Sequence, residues 1–428
     1  MAMMSKRRQT LGIQIASALA IFIFIAYFFL PMTPQINPRS YENDNIPLPA
    51  KVHHDGYIAR PPQQLAPVQP LDNNRWFGNK LDIIDFQKVK QPKNHVKAAF
   101  VILARNSDLT GVRFAMRQVE DRFNSKFNYP YVFLNEQDFT NEFKVATASL
   151  TKANTFYGKI DESMWSYPDH INQTHAAECR KDMSDRNIIY GGSEPYRHMC
   201  RYQSGFFFRH PLLNEYEYYW RVEPDVQYFC DIDYDVFQMM KDGGYKYGWT
   251  VSLTEYMDTI PTLWETAQKF IEKHPEYVIR GDDSLMPWIT DDNFISYNGC
   301  HFWSNFEIGS LDFLRSKKYI DYFEHLDQTG GFFYERWGDA PVHSLAVAMM
   351  LKKSEVHFFN DIGYKHNPLM HCPTEPYLQE GCHCNPRENF DWTGWSCATR
   401  WRQRIDANMV WDEQLYKEKT APYRLEQV

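Results

Sequence analysis

The 428-residue chain lacks a glycine-rich phosphate cradle. Neither G-x-G-x-x-G nor the P-loop pattern follows its first strand-like run, which speaks against a dinucleotide or a P-loop nucleotide. It has no basic domain. Its 46 Lys and Arg against 54 Asp and Glu leave a formal net charge of −8, which argues against nucleic acid as the main partner. It has no paired C-x-x-C, so its eight cysteines do not read as a zinc site. No small-x-small cleavage site follows its one long apolar run, because Pro31-Met32-Thr33 comes next.

What is present bounds the rest. Hydrophobic residues make up 43% and aromatics 16%, the composition of a globular chain. The run Leu11–Leu30 is interrupted only by Gln14 and Ser17, and Lys6, Arg7 and Arg8 precede it. At about 1.5 Å per residue such a run just crosses a hydrocarbon core. With the basic cluster on the cytosolic side, we expect a cytosolic tail over 1–10 and a signal anchor over 11–30. A proline-rich stem over 31–92 and a luminal body over 93–428 follow. A luminal body allows disulfides, and an even cysteine count fits full pairing. Four cysteines between 372 and 397 suggest a stapled C-terminal segment. Asn172-Gln173-Thr174 is the one glycosylation sequon and should lie on the surface.

The body opens with Ala98–Leu103, a buried strand by composition. Leu109, Val112, Met116, Val119 and Phe123 then recur at helical spacing, and Tyr129–Leu134 reads as a second strand. This is a βαβ unit, which implies a parallel sheet. Arg105 sits just past the first strand, where a nucleotide can be met. Residues 139–152 and 173–187 read as helices. A further helix carries Tyr196, Arg197, His198 and Arg201, and its arginine forks suit a diphosphate or paired acids. Tyr218–Val222 is a strand that must stop at Glu223-Pro224-Asp225, since proline cannot continue it. Carboxylates at the C-terminal end of a strand lie where open α/β sheets bind ligands. Their oxygens suit Mn²⁺ or Mg²⁺ holding a diphosphate, although an acidic turn without a ligand has the same composition.

Tyr247–Leu253 reads as another strand and Pro261–His274 as a helix capped by Thr259. Glu307 stands among apolar residues in YNGCHFWSNFEI, and a partly buried acid of this kind is a candidate for chemistry or for an arginine partner. A helix over Val342–Leu351 precedes a last strand, Val356–Phe359. Asp361, Tyr364 and His366 follow at its C-terminal end, placed as Glu223 and Asp225 are after theirs. An imidazole with carboxylates is a familiar set for Mn²⁺.

The blocks YRHMCR, YYWRVEPD, IPTLWET, HFWSNFEI, GGFFYERWGDAPVHS and the end of FFNDIGYKH resemble the fungal Golgi α-1,2-mannosyltransferases of glycosyltransferase family 15, over residues 93–400. The resemblance implies a GT-A-like, Rossmann-type α/β fold in a single luminal domain of a type II Golgi membrane protein. It implies a GDP-mannose donor, a mannose-terminated glycan acceptor on glycoproteins, an Mn²⁺ cofactor and retention of the anomeric configuration. Matched position by position, it implies Glu223 and His366 as metal ligands and Glu307 as the proposed nucleophile. Tyr196, Arg105, Arg197 and Asp225 would lie around the substrates. Glu307 would either attack the sugar or stabilise positive charge on it. The same metal site would serve mannosylphosphate transfer. A non-catalytic mannan-binding module would share the aromatics and disulfides but have no use for acids and an imidazole at strand ends.

Overall fold

A computed structural model describes residues 95–425. The anchor and the stem expected over 11–92 lie outside the described residues. Among the described residues no helix is long and apolar enough to cross a membrane.

Among the described residues, twelve strands occur in chain order. β1 is Ala98–Leu103, β2 Tyr131–Asn135, β3 Thr155–Lys159 and β4 Tyr218–Arg221. β5 is Gln227–Tyr228, β6 Tyr247–Trp249, β7 Ser252–Thr254 and β8 Cys300–Phe302. β9 is Glu307–Ser310, β10 Val356–Phe358, β11 Tyr364–His366 and β12 Leu369–His371. Seven of them form one sheet in the order β10-β6-β9-β4-β1-β2-β3. β1 pairs parallel with β2 and β4, as the βαβ reading predicts, and β9 runs antiparallel between β4 and β6. A mixed, Rossmann-type, GT-A-like sheet results.

The strand sequences dictate which side chain faces which side. Successive residues of a strand point to opposite faces. Phe100, Ile102, Tyr131, Phe133 and Trp220 pack into one core with Val112 and Met116 of the helix that starts at Leu109 and Phe123 of the π-helical turn Glu120–Asn124 that follows it. Ala99, Val101, Val132, Leu134 and Tyr219 face the other core. Three helices matter for the site: α1 Leu109–Val119, α2 Glu194–Gly205 and α3 Asp339–Met350. α3 is buried along nearly its whole length, so its polar residues, Asp339, His343 and Ser344, are held inside the protein.

The structure shifts several expected boundaries. Tyr247–Leu253 is two strands, β6 and β7, and the helix after Pro261 begins at Leu263. Thr259 does not cap that helix; its hydroxyl donates to the carbonyl of Tyr256. β10 is not the last strand: β11 and β12 form a hairpin that pairs with β5 in a separate antiparallel sheet.

The cysteines pair as Cys230–Cys382, Cys300–Cys397 and Cys372–Cys384, each bond holding the C-terminal segment. Full pairing does not occur, since Cys179 and Cys200 are free. Cys200 is buried in α2 and Cys179 lies on the helix Gln173–Asp185. Even parity counts residues, not distances.

Candidate active site

β1, β2 and β4 end at one edge of the sheet, and a pocket of about 180 Å³ opens there. Its walls come from the strand ends (Ala104, Arg105, Asn135, Glu223) and from Met199 and Gln203 of α2. Arg105 is half-exposed, 3.6 Å from Glu136.

Pro224 ends β4, so Glu223 is left at the strand end. Its Oε1 accepts from Nε of Arg221 at 3.0 Å, and the same guanidinium closes a second bond to it through Nη2. Its other oxygen, Oε2, lies 3.7 Å from Nε2 of His366, 143 positions away in sequence. β11 achieves this approach by pairing with β5, the strand that follows the Glu223 turn. Nδ1 of His366 is 3.2 Å from the carbonyl oxygen of Asn367. A carbonyl only accepts, so that contact favours the proton on Nδ1 and turns the Nε2 lone pair toward Glu223. Two lone-pair donors that face each other across a few ångströms fit a cation between them. Among the described residues no cluster of three or more such groups is assembled. A divalent ion held here would therefore complete its shell with ligand oxygens and water.

Behind Glu223 lies a buried charge cluster that strand periodicity builds. Arg221 on β4 and Glu307 on β9 are register partners and share the face of Tyr219. Arg221 Nη1 donates to Asp339 Oδ2 at 2.6 Å and lies 4.0 Å from Glu307 Oε1. Ser304 donates to the same Asp339 oxygen at 2.7 Å. Burial, the largest single influence, would raise the Asp339 carboxyl pKa, but the charges of Arg221 and His343 and the hydrogen bonds from Arg221 and Ser304 together outweigh it and hold the group below the usual carboxylate range. Glu307 has no exposed surface. Its Oε2 accepts from the Tyr247 hydroxyl at 2.9 Å and faces Nδ1 of His343 at 3.0 Å, while its buried Oε1 has no hydrogen-bond partner.

The other expected site residues divide. Tyr196 stacks on Tyr190, with 4.6 Å between ring centroids, and its hydroxyl accepts from Arg336 at 3.1 Å. Arg336 in turn lies 3.5 Å from Glu255, and Tyr196 is not on the wall of the strand-end pocket. Arg197 is not on the wall of the strand-end pocket. It is fully buried, and its guanidinium donates to the carbonyls of Glu335 and Ser193 at 3.0 and 2.9 Å. Arg201 on the same side of α2 pairs bidentately with Asp327 at 2.7 and 2.8 Å. That helix face looks into the protein, so its charges serve packing. Asp225 is also absent from the pocket wall. It is exposed with a positive φ of 62°, and its backbone N–H donates to Gly111 of α1 at 3.1 Å. A methyl group on Gly111 would come within 2.7 Å of the Asp225 carboxylate, so only glycine admits this turn. Asp361 is half-buried and accepts from Tyr234. Asn172 is exposed, and its side-chain oxygen caps the helix Gln173–Asp185, leaving the sequon at the surface.

Arg221, Asp339, His343 and Tyr247 carry no role in the sequence reading. The trace of Arg221 was there: a charge at an inward position of an aromatic strand must find buried acids.

The sheet, its strand-end pocket and the acid–imidazole pair define an α/β protein of the GT-A-like, nucleotide-binding class. A family model described as glycolipid 2-alpha-mannosyltransferase, Glyco_transf_15, matches residues 65–406. Glycolipid 2-alpha-mannosyltransferase 1 of Candida albicans is 55% identical over 308 residues, 72% of this chain and 71% of that protein. Alpha-1,2 mannosyltransferase KTR1 of Saccharomyces cerevisiae is 51% identical over 325 residues, 76% and 82% of the two. The crystal structure of core-mannan synthase A from Aspergillus fumigatus in its Mn/GDP form superposes with a TM-score of 0.70 at 40% identity, covering 76% of this chain and 89% of that one. The chain belongs to the glycosyltransferase 15 family.

Proposed function

We propose that this protein is a GDP-mannose-dependent α-1,2-mannosyltransferase of the Golgi membrane. It is read as a type II protein whose body, from residue 93 on, faces the lumen, uses Mn²⁺ and transfers mannose with retention to a mannose-terminated glycan. The observation that carries this reading is the convergence of Glu223 and His366 at 3.7 Å beside the strand-end pocket. Relatives named as α-1,2-mannosyltransferases and the Mn/GDP form of a family structure support donor and cofactor. The apolar run after Lys6-Arg7-Arg8 and the three disulfides support the membrane topology.

Glu223 Oε2 and His366 Nε2 would hold the ion, which when bound supplies a Lewis acid for the diphosphate charge. Arg221 grips the other oxygen of Glu223 and so fixes the carboxylate plane. Arg105, on the pocket wall, would face the nucleotide. Glu307 is sealed behind Arg221, which favours the form of the reaction in which it stabilises positive charge on the sugar through the field of its carboxylate. The acceptor hydroxyl would then attack on the face that the diphosphate leaves and pass its proton to the departing diphosphate oxygen, and retention follows without a covalent sugar.

The test is incubation of the detergent-solubilised full chain with GDP-mannose, Mn²⁺ and methyl α-mannoside, with linkage read by NMR and mass. The expected product is an α-1,2-linked dimannoside with release of GDP. A β-linked product, a product heavier by a phosphate, or no product would overturn the reading.

A further inference from the structure

We propose that His343 is a positioning residue for the transfer reaction: an imidazolium that pins one oxygen of Glu307 and ties it to the backbone of the pocket-lining helix α2. The inference rests on the reading of Glu307 given above.

The geometry carries it. His343 Nδ1 lies 3.0 Å from Glu307 Oε2, and Nε2 lies 3.1 Å from the carbonyl oxygen of Gln203. The carbonyl only accepts, so Nε2 carries a hydrogen. Glu307 Oε2 already accepts from the Tyr247 hydroxyl at 2.9 Å, and Arg221 stands 4.0 Å from its other oxygen. A carboxylate oxygen is an acceptor, and it faces the ring at hydrogen-bond distance, so Nδ1 also donates. His343 and Glu307 are 1% and 0% exposed, so water satisfies neither. Gln203 belongs to α2 and is one of the residues that line the strand-end pocket. The ring thus clamps a buried carboxylate to the pocket wall and leaves Oε1 as the one oxygen without a donor. A buried acceptor without a donor is what a developing positive charge can exploit.

The charged groups that face the ring are Glu307 from β9, Asp339 one turn earlier on α3 and Arg221 from β4, while the Tyr319 ring lies 6.1 Å away. Burial would lower the imidazolium pKa, but the charge and hydrogen bond of Glu307, with Asp339, outweigh it and raise the group above its ordinary value. The sign follows. The ion pair is fully formed below the unfolded histidine value and is lost as pH rises through the higher folded value. Turnover should therefore have an alkaline limb set by His343.

The test uses the full chain with ¹³C,¹⁵N-labelled histidine, and compares it with His343→Gln, whose neutral amide can still donate one bond to Glu307. We expect the His343 ring to be doubly protonated at neutral pH. His343→Gln should lower kcat by about 10- to 100-fold and abolish the alkaline limb, with GDP affinity within about threefold. A neutral His343 ring, or a His343→Gln enzyme with unchanged kcat and an unchanged limb, would overturn the proposal. If His343→Gln fails to fold, the wild-type ring still decides, identified by its shift in Tyr247→Phe, which removes the other donor to the same oxygen. His371, paired with Asp391 at 2.6 Å in another part of the molecule, should not respond to that change. A protonated ring in a protein without mannosyl transfer would sink the proposed function alone. A neutral ring in an active enzyme would sink this inference alone.

Discussion

Arg221→Met should cost about 3–5 kcal/mol of folding stability, the usual consequence of removing one member of a buried ionic group. The guanidinium is 6% exposed and serves Glu223, Asp339 and Glu307 at once. Methionine fills similar space but leaves Asp339 and Glu307 buried with one cation, His343, between them. Urea unfolding of the folded fraction measures the change. Its pH dependence supplies a second reading. Asp339 is held below the usual carboxylate pKa, so its contribution is present above the unfolded value and is lost as pH falls through the folded one. Arg221→Met should flatten that acid limb. A variant as stable as wild type would show that the cluster is not a single electrostatic unit.

Glu307→Gln should have the opposite profile: the fold survives and turnover does not. An amide oxygen in the place of Oε2 still accepts from Tyr247 and His343. The amide nitrogen takes the place of Oε1, which has no hydrogen-bond partner to lose. What disappears is the negative charge, and kcat should fall by roughly 100-fold or more, as when a preorganised charge-stabilising group is removed. GDP affinity in the presence of Mn²⁺ should change by less than about threefold. Near-normal kcat would remove Glu307 from the mechanism.

The parts of this site that the sequence discloses are those that local rules place. Proline after Glu223 ends a strand in any fold, and Val356–Phe358 is a strand by composition, so acids and imidazoles near sheet edges are legible. The motif resemblance joins Glu223 to His366. Their distance depends on the β5–β11 pairing, which no local rule supplies. The surroundings of Arg197 and Asp225 are not legible for the same reason. Charge on α2 is visible in the sequence, but which face of α2 turns inward depends on Asp327 and the Glu335 carbonyl, more than a hundred positions away. Asp225 is turned aside by its own left-handed backbone, packed against a glycine on α1. The Arg221–Glu307 pairing is half legible. Period 2 says that each points inward, and only the antiparallel register of β4 and β9 makes them partners.

The central claim is that one ion joins Glu223 and His366 beneath a shared diphosphate, and calorimetric titration with GDP tests it most directly. Wild type is expected to bind GDP only with Mn²⁺. Glu223→Ala and His366→Ala should each weaken that binding by at least about tenfold, and the double variant should lose little more than either alone, because both remove the same ion. Metal-independent GDP binding, or two losses that simply add, would contradict the account.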